Sequence, residues 1–302
     1  MKELDWIAVD WGTSHLRVWG LREHEVIAQA VSDQGMVKLD LDRFEWALLS
    51  LIEDWLPAHK VTPVLACGMV GSRQGWIEAP YRSVPCTPLS ESLVKAPAKD
   101  PRIAVFVIPG LQQTQPADVI RGEETQIAGF LKTQPNWTGV LCLPGTHSKW
   151  ACIESGQVTR FQTFMTGELF ALLSTQSVLR HVLSGWHEDS FREGLQSGFF
   201  QSGQILSQLF TLRAETLLNG LPAEAARARL SGLLIGAELA AAQTFWRHQR
   251  VSIIGAEGLS KLYLQALLEF QVNAQRFDVT EMTLHGLMQA FESVQEFLPC
   301  AN

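Results

Sequence analysis

The chain has 302 residues, more than one hydrophobic core usually supports, so two lobes are expected. Apolar residues make up 46% of the chain and charged residues 18%, a balance that fills two cores and excludes a disordered chain. The formal net charge of -7 leaves no basic surplus to neutralise a nucleic-acid backbone. Nucleic acid is therefore not an expected partner.

Cysteine usage and the amino-terminal residues indicate the compartment. The five cysteines are widely spaced, with no CxxC pair and no zinc-type spacing, and are interpreted as reduced thiols. Residues 1–6 carry Lys, Glu and Asp where a signal peptide would need an apolar stretch. No uncharged apolar run of about 18 residues occurs, so a membrane is not an expected partner. These features predict a cytoplasmic protein, and they leave open whether it forms a homo-oligomer.

The first half of the chain predicts a mixed sheet. Its predicted elements, in chain order, are strands at 6–10, 16–19 and 26–31, a helix at 40–56, and strands at 63–66 and 103–108. The first three strands are joined by short turns and form a meander, whereas the later strands follow a helix. Residues 68–101 are rich in Pro, Ser, Gly and Lys, which predicts a long functional loop.

The second half repeats the opening plan of strand, turn and strand. Its predicted elements are strands at 140–143 and 149–153, helices at 168–184, 203–218 and 223–247, a strand at 251–254, a helix at 258–270, a strand at 275–279 and a helix at 281–297. We expect an N-terminal lobe at 1–115 and a C-terminal lobe at 116–302, each an α/β lobe with a mixed sheet flanked by helices. The last helix is expected to pack back on the N-terminal lobe.

The first turn of the chain has the residues of a phosphate-binding hairpin. Asp10 ends a strand and is followed by Gly12, Thr13 and Ser14, with Arg17 on the outgoing strand. A phosphate at such a turn meets backbone N–H groups and two hydroxyls, and Asp10 can hold Mg²⁺ through its waters. An ordinary hairpin turn is the alternative interpretation.

A second Gly-Thr hairpin occurs at the matching place in the second half. It contains Gly145, Thr146, His147 and Lys149, and Pro144 stands where the first hairpin has its acid. Two such hairpins facing each other would clamp the phosphates of one nucleotide. His147 and Lys149 can add positive charge there, although one of them can instead point to solvent.

Two adjacent acids, Glu123 and Glu124, open a predicted helix near the lobe junction. A carboxylate at this place can accept the proton of an attacking hydroxyl, which is the one base that phosphoryl transfer needs. Acids in a first helical turn are also favoured by the helix dipole alone. The sequence does not decide which of the two is the base.

Two further segments predict ligand contacts. A strand, a Gly turn and a helix over Gly255, Ala256, Glu257 and Gly258 would let a flat adenosine lie against the backbone. The long loop offers groups that suit a polyhydroxylated acid, with Arg73 for a carboxylate, Gln74 for hydroxyls and Trp76 for the carbon skeleton. The substrate-binding residues predicted there are Gly71, Ser72, Arg73, Gln74 and Trp76.

Four motifs in this order resemble one enzyme family. They are DxGTxxxR from Asp10 to Arg17, then CGMVGSRQGW, then RGEETQ, and then LPGTHSKW leading to TFMTGELF. Together they are similar to the 2-dehydro-3-deoxygalactonokinase family of the actin/hexokinase-type sugar-kinase superfamily. The likeness covers nearly the whole chain.

The resemblance implies a two-lobed actin-like ATPase (ribonuclease H-like) fold with ATP bound between the lobes. It also implies phosphorylation of 2-dehydro-3-deoxy-D-galactonate at its 6-hydroxyl in D-galactonate catabolism, with ATP and Mg²⁺ as cofactors. The superfamily base is usually an Asp after Gly at the lobe junction, a position that Glu123 or Glu124 holds here. Two alternatives stay open: a kinase for another sugar or 2-keto-3-deoxy sugar acid, and an ATP-binding scaffold or sensor that transfers no phosphate.

Overall fold

The computed structural model describes residues 4–294. Its strands are β1 (Trp6–Trp11), β2 (Leu16–Arg22), β3 (Glu25–Ser32), β4 (Thr62–Gly68), β5 (Arg82–Ser83), β6 (Val94–Lys95), β7 (Ile103–Val107), β8 (Leu111–Thr114), β9 (Ala117–Ile120), β10 (Gly139–Leu143), β11 (Ser148–Glu154), β12 (Gln157–Phe164), β13 (Val251–Gly255) and β14 (Ala274–Asp278). Its helices are α1 (Phe44–Ile52), α2 (Glu123–Thr133), α3 (Thr166–Thr175), α4 (Glu188–Phe200), α5 (Ile205–Asn219), α6 (Ala223–Ala241), α7 (Gln243–Trp246), α8 (Glu257–Glu269) and α9 (Val279–Val294).

Contacts divide the chain into two compact units. The first unit comprises 1–137, 154–160 and 279–302, and the second comprises 138–153 and 161–278. The boundary falls after Trp137, later than the predicted boundary at 115, and α9 is grouped with the first unit. The physical reason is that α2 packs closely on α9, where a Cβ on Gly129 would lie 1.9 Å from the carbonyl oxygen of Met282.

The main sheet of the first unit has the strand order β3-β2-β1-β4-β7-β6. β1 pairs antiparallel with β2 and parallel with β4, so the sheet is mixed as predicted. Side chains of β1 alternate between two cores, as the period of two in a strand requires. Ile7, Val9 and Trp11 pack with α1 on one face, and Trp6 stacks on Phe291 of α9 on the other, with ring centroids 4.4 Å apart.

The sheet of the second unit repeats this topology with the order β12-β11-β10-β13-β14. β10 pairs antiparallel with β11 and parallel with β13, the same relations that β1 has with β2 and β4. Apolar residues of β10 and β13 pack with α4, α6 and α8 in one core. The two Gly-Thr turns predicted a repeat of strand, turn and strand. The repeat extends to the neighbouring parallel strands of each sheet.

Several predicted elements differ in extent from the structure. The helix predicted at 40–56 is α helical over Phe44–Ile52 and continues as a 3-10 turn to Trp55. The helix predicted at 223–247 is divided into α6 and α7, and that predicted at 168–184 ends as an α helix at Thr175. The predicted elements omit α4, β12, the short strands β5 and β6, and the β8–β9 hairpin. The end of the helix predicted at 281–297 lies outside the described residues. No helix within 4–294 has the length and apolar character of a membrane span.

Candidate active site

The first hairpin places Asp10 opposite Arg17 in the β1–β2 register. Arg17 Nη1 donates to Asp10 Oδ2 at 2.8 Å, and the Asp10 side chain is 14% exposed. Burial raises the pKa of Asp10 above its usual value, and the charge of Arg17 opposes that shift. The Gly12 N–H donates to the His15 carbonyl at 2.9 Å and closes the turn, which leaves Thr13 half-buried and Ser14 exposed.

The acidic pair at the start of α2 is held by its own backbone. Glu123 Oε2 accepts the N–H of Arg121 at 2.9 Å, and Glu124 Oε2 accepts the N–H of Gly122 at 2.7 Å. Glu124 is fully buried, and this burial, followed by the charge of Glu123, raises its pKa to about 8. Glu124 therefore keeps its proton at neutral pH.

Glu123 differs from Glu124 because it is half-buried and lies near Asp10. Its charge is one of the factors that raise the pKa of Asp10. Asp10 and Glu123 are brought together by close packing between β4 and the start of α2. Gly68 of β4 comes directly after the residue that pairs with Asp10. Gly122, which precedes Glu123, packs on Gly68, since a Cβ on Gly122 would lie 3.3 Å from the Gly68 Cα. The first unit thus has two reachable carboxylates at the carboxyl end of β1 and the start of α2.

Of these two, Asp10 fits a magnesium ion that is bound partly by phosphate. Mg²⁺ is usually held by one or two carboxylates together with phosphate oxygens and waters. Asp10 uses Oδ2 for Arg17, and Oδ1 takes no part in that bond. Within residues 4–294 no group of three or more His, Cys, Asp or Glu side chains forms a complete metal site. The donor set therefore suits an ion that arrives with a nucleotide.

The second unit contains a cavity of about 310 Å³ that reaches the second hairpin. Gly145 of the hairpin, Gly167 of α3 and Gly258 of α8 line it. A Cβ on Gly167 would lie 2.3 Å from the Gly145 carbonyl oxygen, so α3 begins in contact with the hairpin. The remaining lining residues are Thr166, Phe170, Trp186, Arg227, Ser231, Leu234, Ile235, Leu259, Leu262 and Tyr263.

A buried carboxylate holds the walls of this cavity to the second hairpin. Glu238 of α6 accepts Trp150 Nε1 at 2.8 Å and Tyr263 Oη at 2.6 Å, and Tyr263 Oη is 2.8 Å from Ser148 Oγ. Burial raises the pKa of Glu238 above its usual value, and the donors around it oppose that shift. The network ties β11, α6 and α8 together directly behind the hairpin turn.

Comparison with known proteins places the chain in a family. The sequence model of the 2-keto-3-deoxy-galactonokinase family matches residues 10–290. The chain belongs to this family. A 2-dehydro-3-deoxygalactonokinase of Escherichia coli (strain K12) is 36% identical over 292 residues, which cover 94% of this chain and 95% of the relative. The chain is accordingly a sugar-acid kinase, as the four motifs predicted.

Solved structures confirm the fold predicted for this 2-keto-3-deoxy-galactonokinase family member. A Sinorhizobium meliloti protein classed as a 2-dehydro-3-deoxygalactonokinase superposes with a TM-score of 0.89 at 34% identity and 98% coverage of both chains. The activator of the 2-hydroxyisocaproyl-CoA dehydratase of Clostridium difficile, solved with bound ADPNP, has a TM-score of 0.54 at 11% identity, covering 97% of this chain and 96% of its own. The second likeness concerns the actin-like fold alone.

Other predicted phosphate-binding residues of the kinase have varied surroundings. Gly145 and Gly258 come together at the cavity, whereas Glu257 is exposed and pairs with Lys261 at 2.5 Å. His147 Nε2 lies 2.5 Å from Glu168 Oε2. Lys149 is 7% exposed, and its Nζ donates to the His147 carbonyl at 2.8 Å. Gly255 is buried at the end of β13, and the adjacent Ala256 is exposed.

In the long loop of the kinase, the predicted substrate residues separate into buried and exposed groups. Gly71 and Ser72 are buried, while Arg73 and Gln74 are exposed. Trp76 packs edge-on to Trp11, with ring centroids 6.3 Å apart, so part of its surface belongs to the core of the first unit.

Prediction from sequence assigned no role to Glu238, Phe170 or Arg227. Glu238 is buried on α6, where the surrounding Ala and Leu residues give no signal of a ligand site. The Arg227 guanidinium lies over the Phe170 ring, 5.4 Å from its centroid, at the wall of the cavity. The single available signal was the TFMTGELF motif, which contains Phe170.

Proposed function

We propose that this kinase transfers the γ-phosphoryl group of ATP to the 6-hydroxyl of 2-dehydro-3-deoxy-D-galactonate, in the cytoplasm, as a step of D-galactonate breakdown. The observation that carries the proposal is the family match over residues 10–290. The Escherichia coli relative, 36% identical to this chain, bears the name of the enzyme for that substrate. The family match does not favour the alternative of a scaffold that transfers no phosphate.

The cavity of the second unit is our proposed site for the adenosine part of ATP. Its volume of about 310 Å³ suits a small ligand, and Leu234 and Ile235 give it an apolar wall. At Gly145 and Gly258 there is no side chain, so a flat ligand can lie directly against the backbone. The ring of Phe170 under the Arg227 guanidinium offers a stacking surface.

Glu123 is our proposed base for the sugar hydroxyl. A base must come within hydrogen-bond reach of the proton that it accepts. Glu123 is half-buried and reachable, whereas Glu124 is fully buried and keeps its proton at neutral pH because its pKa is raised to about 8. Glu123 is therefore the better candidate of the two.

Asp10 is our proposed carboxylate for the magnesium ion of Mg-ATP. When bound there, the ion neutralises charge on the phosphates. Arg17 holds the Asp10 carboxylate in place through the 2.8 Å contact. Thr13 and Ser14 on the same turn offer hydroxyls and backbone N–H groups to phosphate oxygens.

The proposed transfer step balances with these groups. The 6-oxygen of the sugar forms a bond to the γ-phosphorus, and its proton passes to the Glu123 carboxylate. The bond between the γ-phosphorus and the β–γ bridging oxygen breaks, and ADP leaves. The proton is later lost to solvent, which restores the base.

A coupled assay of ADP release tests the proposal. We expect sugar-dependent ADP formation with 2-dehydro-3-deoxy-D-galactonate, and weaker turnover with its C4 epimer and with D-galactose. Mass spectrometry of the product should place one phosphate at carbon 6. ADP release that does not depend on the acid, or a clear preference for a neutral sugar, would contradict the proposed substrate.

A further inference from the structure

Arg121, which immediately precedes the α2 acids, is a buried cation with an unused donor. Its side chain is 8% exposed. Nη2 donates to the Ala79 carbonyl at 2.7 Å, Nε is 3.4 Å from Tyr81 Oη, and the guanidinium lies 4.2 Å from the centroid of the Tyr81 ring. Nη1 is buried without a hydrogen-bond partner.

Such a group is costly unless a ligand uses it. Arginine keeps its charge at any physiological pH, and a buried donor without a partner on a charged group destabilises the folded protein. Within the part of the chain that the structure describes, Arg121 forms no ion pair with a carboxylate.

A second unused donor belongs to the loop beside Arg121. Ser72 is 5% exposed, and its Oγ is also buried without a partner. Gly71, the preceding residue, packs against the guanidinium, because a Cβ there would lie 2.7 Å from Arg121 Nη1. The turn itself is ordered, since the Ser72 N–H donates to the Met69 carbonyl at 3.0 Å and the Ser72 carbonyl accepts from Gly75 at 2.9 Å. Two unsatisfied donors therefore belong to Arg121 and to the residue that follows its Gly71 contact in the loop.

We propose that Arg121 binds the carboxylate of the sugar-acid substrate through Nη1, with Ser72 Oγ as a second donor, and thereby selects an acid over a neutral sugar. The inference rests on the proposed function and deepens it. It assigns to Arg121 the role that the sequence predicted for Arg73, whose side chain is exposed. Arg121 and Glu123 are two residues apart, so one short segment would hold the carboxylate of the substrate and accept the proton from its hydroxyl.

The test compares the acid with its carboxamide, which has the same carbon skeleton but no charge. We expect Arg121→Met to lower kcat/KM for the acid by about 100-fold and to change kcat/KM for the amide by less than about 3-fold. Arg121→Lys should retain part of the preference for the acid, because it keeps the charge without the planar fork. The matched control, Arg73→Met, should leave the ratio of acid to amide unchanged.

Two outcomes would overturn the inference. They are an acid-to-amide ratio that is unchanged in a folded Arg121→Met protein, and a collapse of the ratio in Arg73→Met alone. If the Arg121 variants do not fold, a crystal structure of the wild-type kinase with the acid bound decides the question. A carboxylate oxygen about 3 Å from Arg121 Nη1 supports the inference, and a carboxylate bound elsewhere overturns it.

Failure of the proposed function gives a different result. If the wild-type kinase phosphorylates another sugar acid, the proposed substrate is wrong, and the same ratio is then measured with that acid and its amide. If it phosphorylates only neutral sugars, both proposals are overturned.

Discussion

Three carboxyl groups of similar chemistry have different surroundings in the first unit. Asp10 is paired with Arg17, Glu123 is half-buried, and Glu124 is fully buried with its carboxylate bonded to Gly122 and Thr125. Burial disfavours the charged form of a carboxyl group, whereas a neighbouring cation favours it. The three residues can therefore hold a metal, accept a proton and remain protonated, respectively.

Replacement of Glu123 tests the proposed base. We expect Glu123→Gln to lower kcat by about 100- to 1000-fold, because the amide cannot accept the hydroxyl proton. ATP affinity, measured by titration calorimetry, should change little. The matched variant Glu124→Gln should retain turnover within about 10-fold, since the amide has the neutral charge and shape of the protonated acid. The opposite order of losses would assign the base to Glu124.

Glu124 should also make stability depend on pH. Its pKa is raised to about 8 from an ordinary value of 4.5, so between those values the folded protein keeps a proton that the unfolded chain has lost. The free energy of unfolding must then fall as pH rises through that window. Glu124→Gln has no carboxyl group here, so its free energy of unfolding should not fall in this way. The difference in free energy of unfolding, variant minus wild type, should therefore be larger at pH 8 than at pH 5 by roughly 3 kcal/mol. Urea unfolding at both pH values measures this difference, and an equal difference at both would contradict the prediction.

At the scale of elements, the position of Glu123 depends on how closely α2 approaches α9. Gly129 of α2 and Gly286 of α9 both lie at this crossing, where a Cβ on Gly286 would be 1.9 Å from the Thr125 carbonyl oxygen. The backbones of α2 and α9 are therefore too close together at this point for even a methyl group. The first turn of α2, with its acidic pair, is positioned in part by the absence of a side chain at Gly286 on another helix.

We expect Gly286→Ala to destabilise the protein by about 3 kcal/mol and to lower kcat, because α2 must shift to admit the methyl group. Thermal unfolding and the ADP-release assay measure the two effects. The control is Gly203→Ala, since a Cβ there meets nothing within 4 Å. A Gly286→Ala protein with wild-type stability would show that the crossing tolerates a wider spacing.

At the scale of the whole molecule, the five-stranded sheet of the second unit matches the order of the first five strands in the six-stranded sheet of the first unit, and each unit has a Gly-Thr hairpin. The sequence prediction that both hairpins bind the phosphates of one nucleotide stays a prediction. The hydroxyls of Thr13 and Thr146 are its most direct probes, because each lies on its own hairpin and neither is buried in a core.

A double-mutant cycle tests that prediction. We expect Thr13→Val and Thr146→Val each to lower kcat/KM for ATP by about 10-fold, the loss of one hydrogen bond to a charged group. If both hydroxyls contact one phosphate chain, the double variant should depart from the product of the single effects. Purely multiplicative losses would indicate that the hairpins act independently.

Much of the fold was predictable from the sequence because its signals are local. The alternation of apolar residues in β1 and the glycines of the two turns depend on neighbours one to four positions away. The same holds for the acids that open α2 and for the Gly turn before α8. The β8–β9 hairpin and α4 were not predicted. For α4 the deciding contacts are tertiary, because its glycines Gly194 and Gly198 pack against the backbone of α6.

The candidate site was predictable only in part. The sequence by itself determined which residue types could bind phosphate, accept a proton or hold a metal, and in which order they occur. The tertiary structure decided that Glu124 is buried and Glu123 reachable, that Gly145 and Gly258 line one cavity, that Glu238 anchors its walls, and that Arg121 has an unused donor. The physical reason is that burial and hydrogen-bond satisfaction arise between residues far apart in the chain, and no local spacing specifies them.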